Sequence, residues 1–228
     1  MAWQGRFTLG VRAGRLLMQP RMDPTRSLRY EMLFGDALRP LLPKLGELIF
    51  SVFRDWPYLY ASDPTAAGSY LTSYVDGSSP DAAIVVAFDG DLPVGAATCL
   101  PMVQASANVP NAFAAYGLNP ARFCYFGEAV LLVGYRGRGA GVRFFEEREA
   151  YARGLGLDFA AFCAVSRDPA DPRKPAGYAP LDAFWRRRGY IPYPGLVCRL
   201  EWREVGAVQD TPHDLSAWLK SLSGAELS

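Results

Sequence analysis

Residues 128–145 read Glu-Ala-Val-Leu-Leu-Val-Gly-Tyr-Arg-Gly-Arg-Gly-Ala-Gly-Val-Arg-Phe-Phe, and no other stretch of the chain restricts the fold as tightly. An apolar run of strand-forming residues feeds a glycine-dense turn, and a helical pattern begins at once. The chain is thereby committed to a strand, a tight turn and a helix in that order. The turn gathers free backbone N–H groups, the partial positive charge of a helix N-terminus and the guanidinium groups of Arg136 and Arg138. That combination suits a phosphate or a pyrophosphate.

Elements of both kinds flank this unit. Leu28 to Phe34 is predicted as a first strand, and apolar spacing from about Leu41 to Arg54 predicts a helix that buries Leu42, Leu45, Leu48, Ile49 and Phe53. Asp63-Pro64 is an N-cap and first-turn pair for a second helix toward Tyr74. Ala82 to Phe88 and Pro93 to Leu100, joined by Asp89-Gly90-Asp91, read as a hairpin. The connection over 101–122 carries a short helix near Ala112 to Tyr116. Phe123 to Val133 is the next strand, with Gly127 as a candidate bulge. The helix after the glycine turn runs from about Gly139 to Leu155 and ends at Gly156. A buried strand over Asp158 to Val165, a proline-rich loop over 167–179, a short helix from Pro180 to Gly189 and a strand over Leu196 to Trp202 complete the order. After Val205 the chain reads as a polar tail with one short helix around Leu215 to Leu222. Residues 1–26 carry five arginines against the single acid Asp23 and are expected to be a leader or arm. The expected organisation is therefore an arm over 1–26, one domain over 27–205 and a tail over 206–228.

The 228 residues, half of them hydrophobic, are enough for one core without disulfide or metal support. The net charge of +1 gives no reason to expect nucleic acid or a membrane surface as a partner. No run approaches the roughly 20 apolar residues of a membrane span. Cys99, Cys124, Cys163 and Cys198 form no CxxC pair and read as buried, reduced thiols of a cytoplasmic protein. The lone histidine, His213, reads as a solvent-exposed turn residue, which points away from a Ser-His-Asp triad and from a histidine metal site.

Three glycine-rich motifs compete for the turn. A Walker loop needs Gly-Lys-Ser/Thr, and no lysine follows these glycines. A Rossmann fingerprint needs GxGxxG, but Val142 stands where the third glycine belongs, and too little chain follows for further βα units. Arg136-Gly137-Arg138-Gly139-Ala140-Gly141 fits the R/Q-x-x-G-x-G/A pattern of the GNAT acyl-CoA-dependent N-acyltransferases. The preceding hairpin, the following strand and Ala183-Phe184-Trp185-Arg186-Arg187-Arg188-Gly189-Tyr190 resemble that family in the same order, over about residues 28–203. The resemblance implies an α/β fold with a mixed, mostly antiparallel central sheet and helices on both faces. It implies acetyl-CoA as acyl donor and no metal. Its pyrophosphate would be held by Arg136 and the N–H groups of Gly137, Arg138, Gly139, Ala140, Gly141 and Val142, and its pantetheine would lie along the main chain of Leu131, Leu132 and Val133.

Acyl transfer to an amine needs a group that removes a proton, a donor for the oxyanion and an acid for the leaving thiolate. The resemblance places the oxyanion donor near the Leu131 N–H. Glu128, among apolar neighbours on the same strand, is the candidate base; a strand-start glutamate facing solvent or an arginine is the competing reading. The family's usual tyrosine acid is replaced here by Trp185, and Tyr178 is the preferred substitute over Tyr190 and Tyr193. A cysteine nucleophile at Cys124 or Cys163 is disfavoured against small buried hydrophobes. Glu146, Glu147 and Glu149 read as a solvated helix face. Trp56, Tyr58 and Tyr60 are candidates for the wall of a small-molecule amine site, or for core. The expectation is an N-acetyltransferase acting by direct attack on a primary amine, free to form a homodimer. A non-catalytic acyl-CoA sensor is the alternative.

Overall fold

The computed structural model describes residues 27–61 and 71–227. The expected arm over 1–26 and most of the helix expected from Asp63 lie outside those residues; only a 3-10 turn at Leu71–Tyr74 represents the latter. Eight strands form one sheet: β1 (Arg29–Phe34), β2 (Ala83–Asp89), β3 (Leu92–Pro101), β4 (Phe123–Tyr125), β5 (Ala129–Leu131), β6 (Phe159–Val165), β7 (Ile191–Trp202) and β8 (Thr211–Ser221). The spatial order is β1-β2-β3-β4-β6-β8-β7, and β5 also pairs with β3. Every pairing is antiparallel except β4 with β6.

Helices cover both faces. Helix α1 (Leu42–Phe53) opens with Pro43 in its first turn, where a missing N–H costs nothing. It buries Leu45, Leu48 and Ile49 against Ile84, Val86 and Ala96. Each such side chain contributes about 1.5–3 kcal/mol by leaving water. Helix α2 (Asn108–Ala115) adds Val109 and Phe113 to the same face. Helices α3 (Ala140–Gly154) and α4 (Asp182–Arg187) cover the other face, where Phe144, Phe145 and Phe184 meet Val85, Phe126 and Phe162. The mixed, mostly antiparallel sheet with helices on both faces matches the expectation from sequence.

Three local expectations are corrected. The stretch after Val205 is no polar tail. It forms β8, inserted between β6 and β7, with Leu215, Ala217, Trp218 and Leu219 buried. Leu215, Trp218 and Leu219 have helical spacing, but a strand covered on both faces buries the same residues. Glu149 is no solvated helix residue: its carboxylate is buried and accepts from Lys220 Nζ at 2.7 and 2.8 Å and from the Tyr190 hydroxyl at 3.2 Å. His213 is no exposed turn residue. Its ring stacks on Trp202 with centroids 3.7 Å apart, and Nε2 lies 3.2 Å from the Trp202 carbonyl oxygen.

Candidate active site

The site begins with a strand that breaks. β4 and β5 are halves of the single strand expected over Phe123 to Val133, separated by Phe126-Gly127-Glu128. β4 pairs with both β3 and β6, and the last bond on the β6 side runs from Phe126 N–H to the Ala161 carbonyl at 2.8 Å. Beyond the break, β5 stays with β3 and leaves β6. Glu128 and Leu132 bond to β3 through Thr98 N–H and the Val94 carbonyl. Because a strand residue directs its N–H and C=O to the same side, Ala129 and Leu131 point theirs away from β3. On the facing strand, Ala161 directs its carbonyl toward β4, so Cys163, two residues on, presents its main chain to the same side. The result is a wedge-shaped gap, walled by β5 and β6, with the Leu131 N–H directed to its edge.

The gap leads toward the N-terminus of α3. Gly139 is the N-cap, with φ of +84°, and no side chain caps the helix. The N–H groups of Ala140, Gly141 and Val142 have no acceptor within the helix, as in any first turn. Gly137 has φ of +75°, and at both it and Gly139 a Cβ would meet no heavy atom within 4 Å. A left-handed backbone with open space beside it is what close approach of an anion needs. Gly141 serves a different end, because a Cβ there would lie 3.3 Å from Phe184 of α4. Tyr135 anchors the turn by donating to Asp89 Oδ2 at 2.9 Å. Arg136 is exposed and its Nε donates to the Leu131 carbonyl at 3.3 Å. Arg138 lies over the Tyr135 ring.

No family model matches the sequence, and no curated protein sequence is similar to it. Solved structures are. An acetyltransferase of the GNAT family from Staphylococcus aureus superposes with a TM-score of 0.52 at 10% identity, over 85% of this chain and 99% of that one. The Arabidopsis thaliana NAA60 in complex with a bisubstrate analogue gives 0.54 at 13% identity, over 86% and 99%. The yncA protein of Salmonella typhimurium with its cofactor acetyl-CoA gives 0.50 at 11% identity, over 86% and 95%. The chain has the GNAT fold.

Within this GNAT fold, Glu128 sits at the strand break, on the gap's floor. Thr98 holds it: the Thr98 hydroxyl donates to Glu128 Oε2 at 2.9 Å and accepts from the Glu128 N–H at 2.9 Å. Thr98 is itself buried, and its carbonyl accepts from the buried guanidinium of Arg148 across the sheet at 3.3 Å. Sequence reasoning missed Thr98; only the register of β3 against the break brings it to Glu128. It also missed Tyr125, a buried residue on the same face. Burial pushes its phenol far above the ordinary range, and neighbouring Cys163 and Glu128 add to the shift. Tyr125 therefore stays a neutral hydroxyl. Tyr58 is raised likewise, by burial first and then by Glu128, Cys163 and Tyr178.

The other aromatic candidates divide. Tyr58 stacks on Phe53, with centroids 4.3 Å apart, and approaches Trp202. Tyr60 packs against the same core and bridges to Glu204. Trp56 meets Tyr178 edge to face at 6.0 Å, and its Nε1 is buried without a hydrogen-bond partner among the described residues. Arg167 clasps this segment, donating to the Pro57 carbonyl at 2.6 Å and to the Tyr58 carbonyl at 2.9 Å while pairing with Glu204. Tyr178 lies on the loop that follows β6, and burial raises its phenol, with Asp182 adding. Tyr190 is on the opposite face with Glu149 and Phe145, and Tyr193 packs on Tyr116. Trp185 is core, packed on Phe162 and Trp218. Cys163 and Cys198 bring their sulfurs to 3.2 Å. Cys99 and Cys163 are held well above the ordinary thiol range, Cys99 chiefly by burial and Cys163 chiefly by its hydrogen bond to Cys198. That environment does not make Cys163 a ready nucleophile. Among the described residues, no cluster of His, Cys, Asp and Glu could hold a metal, and no helix is long and apolar enough to cross a membrane.

Proposed function

We propose that this chain is an N-acetyltransferase that moves an acetyl group from acetyl-CoA to the primary amine of a small molecule by direct attack. The observation that carries this reading is the gap between β5 and β6, which joins a carboxylate at its floor to an uncapped, glycine-lined helix N-terminus at its mouth. The residues fit the donor. Gly137 and Gly139 leave room for a pyrophosphate, the first-turn N–H groups and Arg136 and Arg138 oppose its charge, and the main chain of Leu131, Leu132 and Val133 borders the pantetheine path. Acetyl-CoA, when bound, supplies the activated acyl carbon. Glu128 takes the proton from the incoming ammonium, so that a neutral amine attacks. The Leu131 N–H, turned into the gap, donates to the oxyanion. Tyr178, kept protonated by burial, is the candidate acid for the leaving thiolate.

The test is release of free CoA thiol with a panel of amines, alongside thermal denaturation with acetyl-CoA. A saturable rise in Tm together with amine-dependent thiol release is the expected result. A rise in Tm with no thiol release from any amine would favour a binding module, and no rise at all would remove the donor assignment.

Thr98 acts through Glu128, as a positioning residue. Thr98→Val keeps the volume but loses both hydrogen bonds, and a mispointed carboxylate is expected to lower kcat by roughly 10- to 100-fold. Thr98→Ser should restore most of that loss, and acetyl-CoA affinity should not change in either variant. A fall in kcat that Ser does not rescue would mean that Thr98 matters only to the packing of β3.

A further inference from the structure

Beside Glu128, on the face covered by α1 and α2, lies a cavity of about 270 Å3. It is distinct from the glycine turn, which opens at the end of the gap, and Trp56, Tyr58 and Tyr60 do not line it. Its walls have an unusual composition. Ser73, Ser78, Ser79 and Ser106 contribute hydroxyl-bearing side chains, and Leu100, Val109 and Leu200 form an apolar side. Tyr125 and Glu128 close the end next to the strand break. Glu128 is the one charged residue among the described lining residues.

From this lining we infer that the acceptor is a hydroxylated amine without a carboxylate or phosphate, of about the size of a single aminosugar ring or a shorter amino alcohol. The inference rests on the acyltransferase reading above and specifies its substrate. A cationic ammonium is drawn to Glu128, the group that must deprotonate it. Hydroxyl groups of the acceptor exchange hydrogen bonds with serines that both donate and accept. An acceptor anion, in contrast, would enter a partly enclosed space that already holds a carboxylate and offers no cation among its described lining residues. Burying an unpaired charge there is strongly unfavourable. Discrimination therefore comes from the repulsive element as much as from the attractive one. The apolar strip of Leu100, Val109 and Leu200 fits the C–H face of a ring or a short chain. The volume is at the lower edge of small-molecule sites, which suits one ring and not a chain of them.

Matched pairs test this directly, with the full chain and acetyl-CoA. Serinol is compared with serine, and glucosamine with glucosaminic acid and with glucosamine 6-phosphate, by thiol release. The neutral-tailed member of each pair is expected to have kcat/KM higher by at least roughly tenfold. In Ser106→Arg the new guanidinium should narrow or reverse the serinol-to-serine ratio. A second arm reads binding without turnover: thermal shift of the CoA-saturated protein by each compound. If no amine is acetylated yet serinol or glucosamine raises Tm and its acidic partner does not, the cavity assignment stands and the acyltransferase reading falls. If the acids match or exceed their partners in either arm, or if neither member binds or reacts while other amines are acetylated, the inference is overturned.

Discussion

Glu128→Gln is expected to lower amine-dependent thiol release by about 10²- to 10⁴-fold, the usual range for loss of a general base. The reason lies in how the strand break presents this side chain. Phe126-Gly127-Glu128 leaves the ladder between two paired halves, and Thr98 fixes the carboxylate from the neighbouring strand at 2.9 Å. Glutamine keeps the shape, and its carbonyl oxygen can still accept from the Thr98 hydroxyl, so the break itself should survive. What is lost is the capacity to take a proton. Acetyl-CoA is expected to make most of its contacts elsewhere, since its pyrophosphate would sit at the far end of the gap on Gly137 to Val142. The substitution should therefore leave the acetyl-CoA-induced rise in Tm intact. Calorimetric binding beside steady-state kinetics separates the two. If turnover in the variant equals that of the parent, Glu128 is a positioning or electrostatic residue and the proton leaves by another route. If acetyl-CoA binding is lost as well, the donor and acceptor ends of the gap are not separable as drawn.

The glycine turn was legible because its pattern is local. Arg136, the glycines at 137, 139 and 141, and the helix that follows are contiguous, and two of the glycines take a left-handed backbone. The hairpin of β2 and β3 was legible for the same reason: Asp89-Gly90-Asp91 lies between two apolar runs, and Gly90 has φ of +61°. The floor of the gap was only half legible. Glu128 could be found because it interrupts an apolar strand. Thr98 lies 30 residues away and meets it only through sheet register. Tyr125 is three residues from Glu128 but resembles any buried strand aromatic until the fold shows which face it shares. The cavity proposed for the acceptor was not legible. Its serines come from the segment before β2 and the turn after β3, stretches without periodicity that read as connection. Arg148 was hidden in a similar way, because an arginine in a charged helix reads as solvated, whereas here its guanidinium lies 4.3 Å from the centroid of the Phe126 ring and bonds to two carbonyls.

The largest effect on stability is expected from Lys220→Met. β8 reads as tail because its residues are polar at His213, Asp214, Ser216 and Lys220, yet the fold uses that polarity. Ser216 bonds to Ser166 of the segment after β6 at 2.8 Å, and Arg199 of β7 bonds to Asp214 at 2.8 Å. Lys220 does the most, because its ammonium crosses from the sheet to α3 and meets both oxygens of Glu149, whose side chain is only 9% exposed. Methionine fills much of the lysine stem's volume but cannot donate. Glu149 would keep the Tyr190 hydroxyl and a long contact to Arg153 at 3.5 Å, too little to replace a bidentate ammonium. Leaving a buried carboxylate without its cation costs about 3–5 kcal/mol, a drop of roughly 6–20 °C in a domain of this length. The double variant Lys220→Met/Glu149→Leu removes both charges and should recover much of that loss, because an apolar pair of similar volume needs no compensation. Urea unfolding of the parent, the single and the double variant measures the effect. Recovery in the double variant would place the cost in the orphaned Glu149 carboxylate. If the double variant is as unstable as Lys220→Met, the pair is needed to hold β8 in register between β6 and β7, and the strand is specified by charge rather than by its buried leucines.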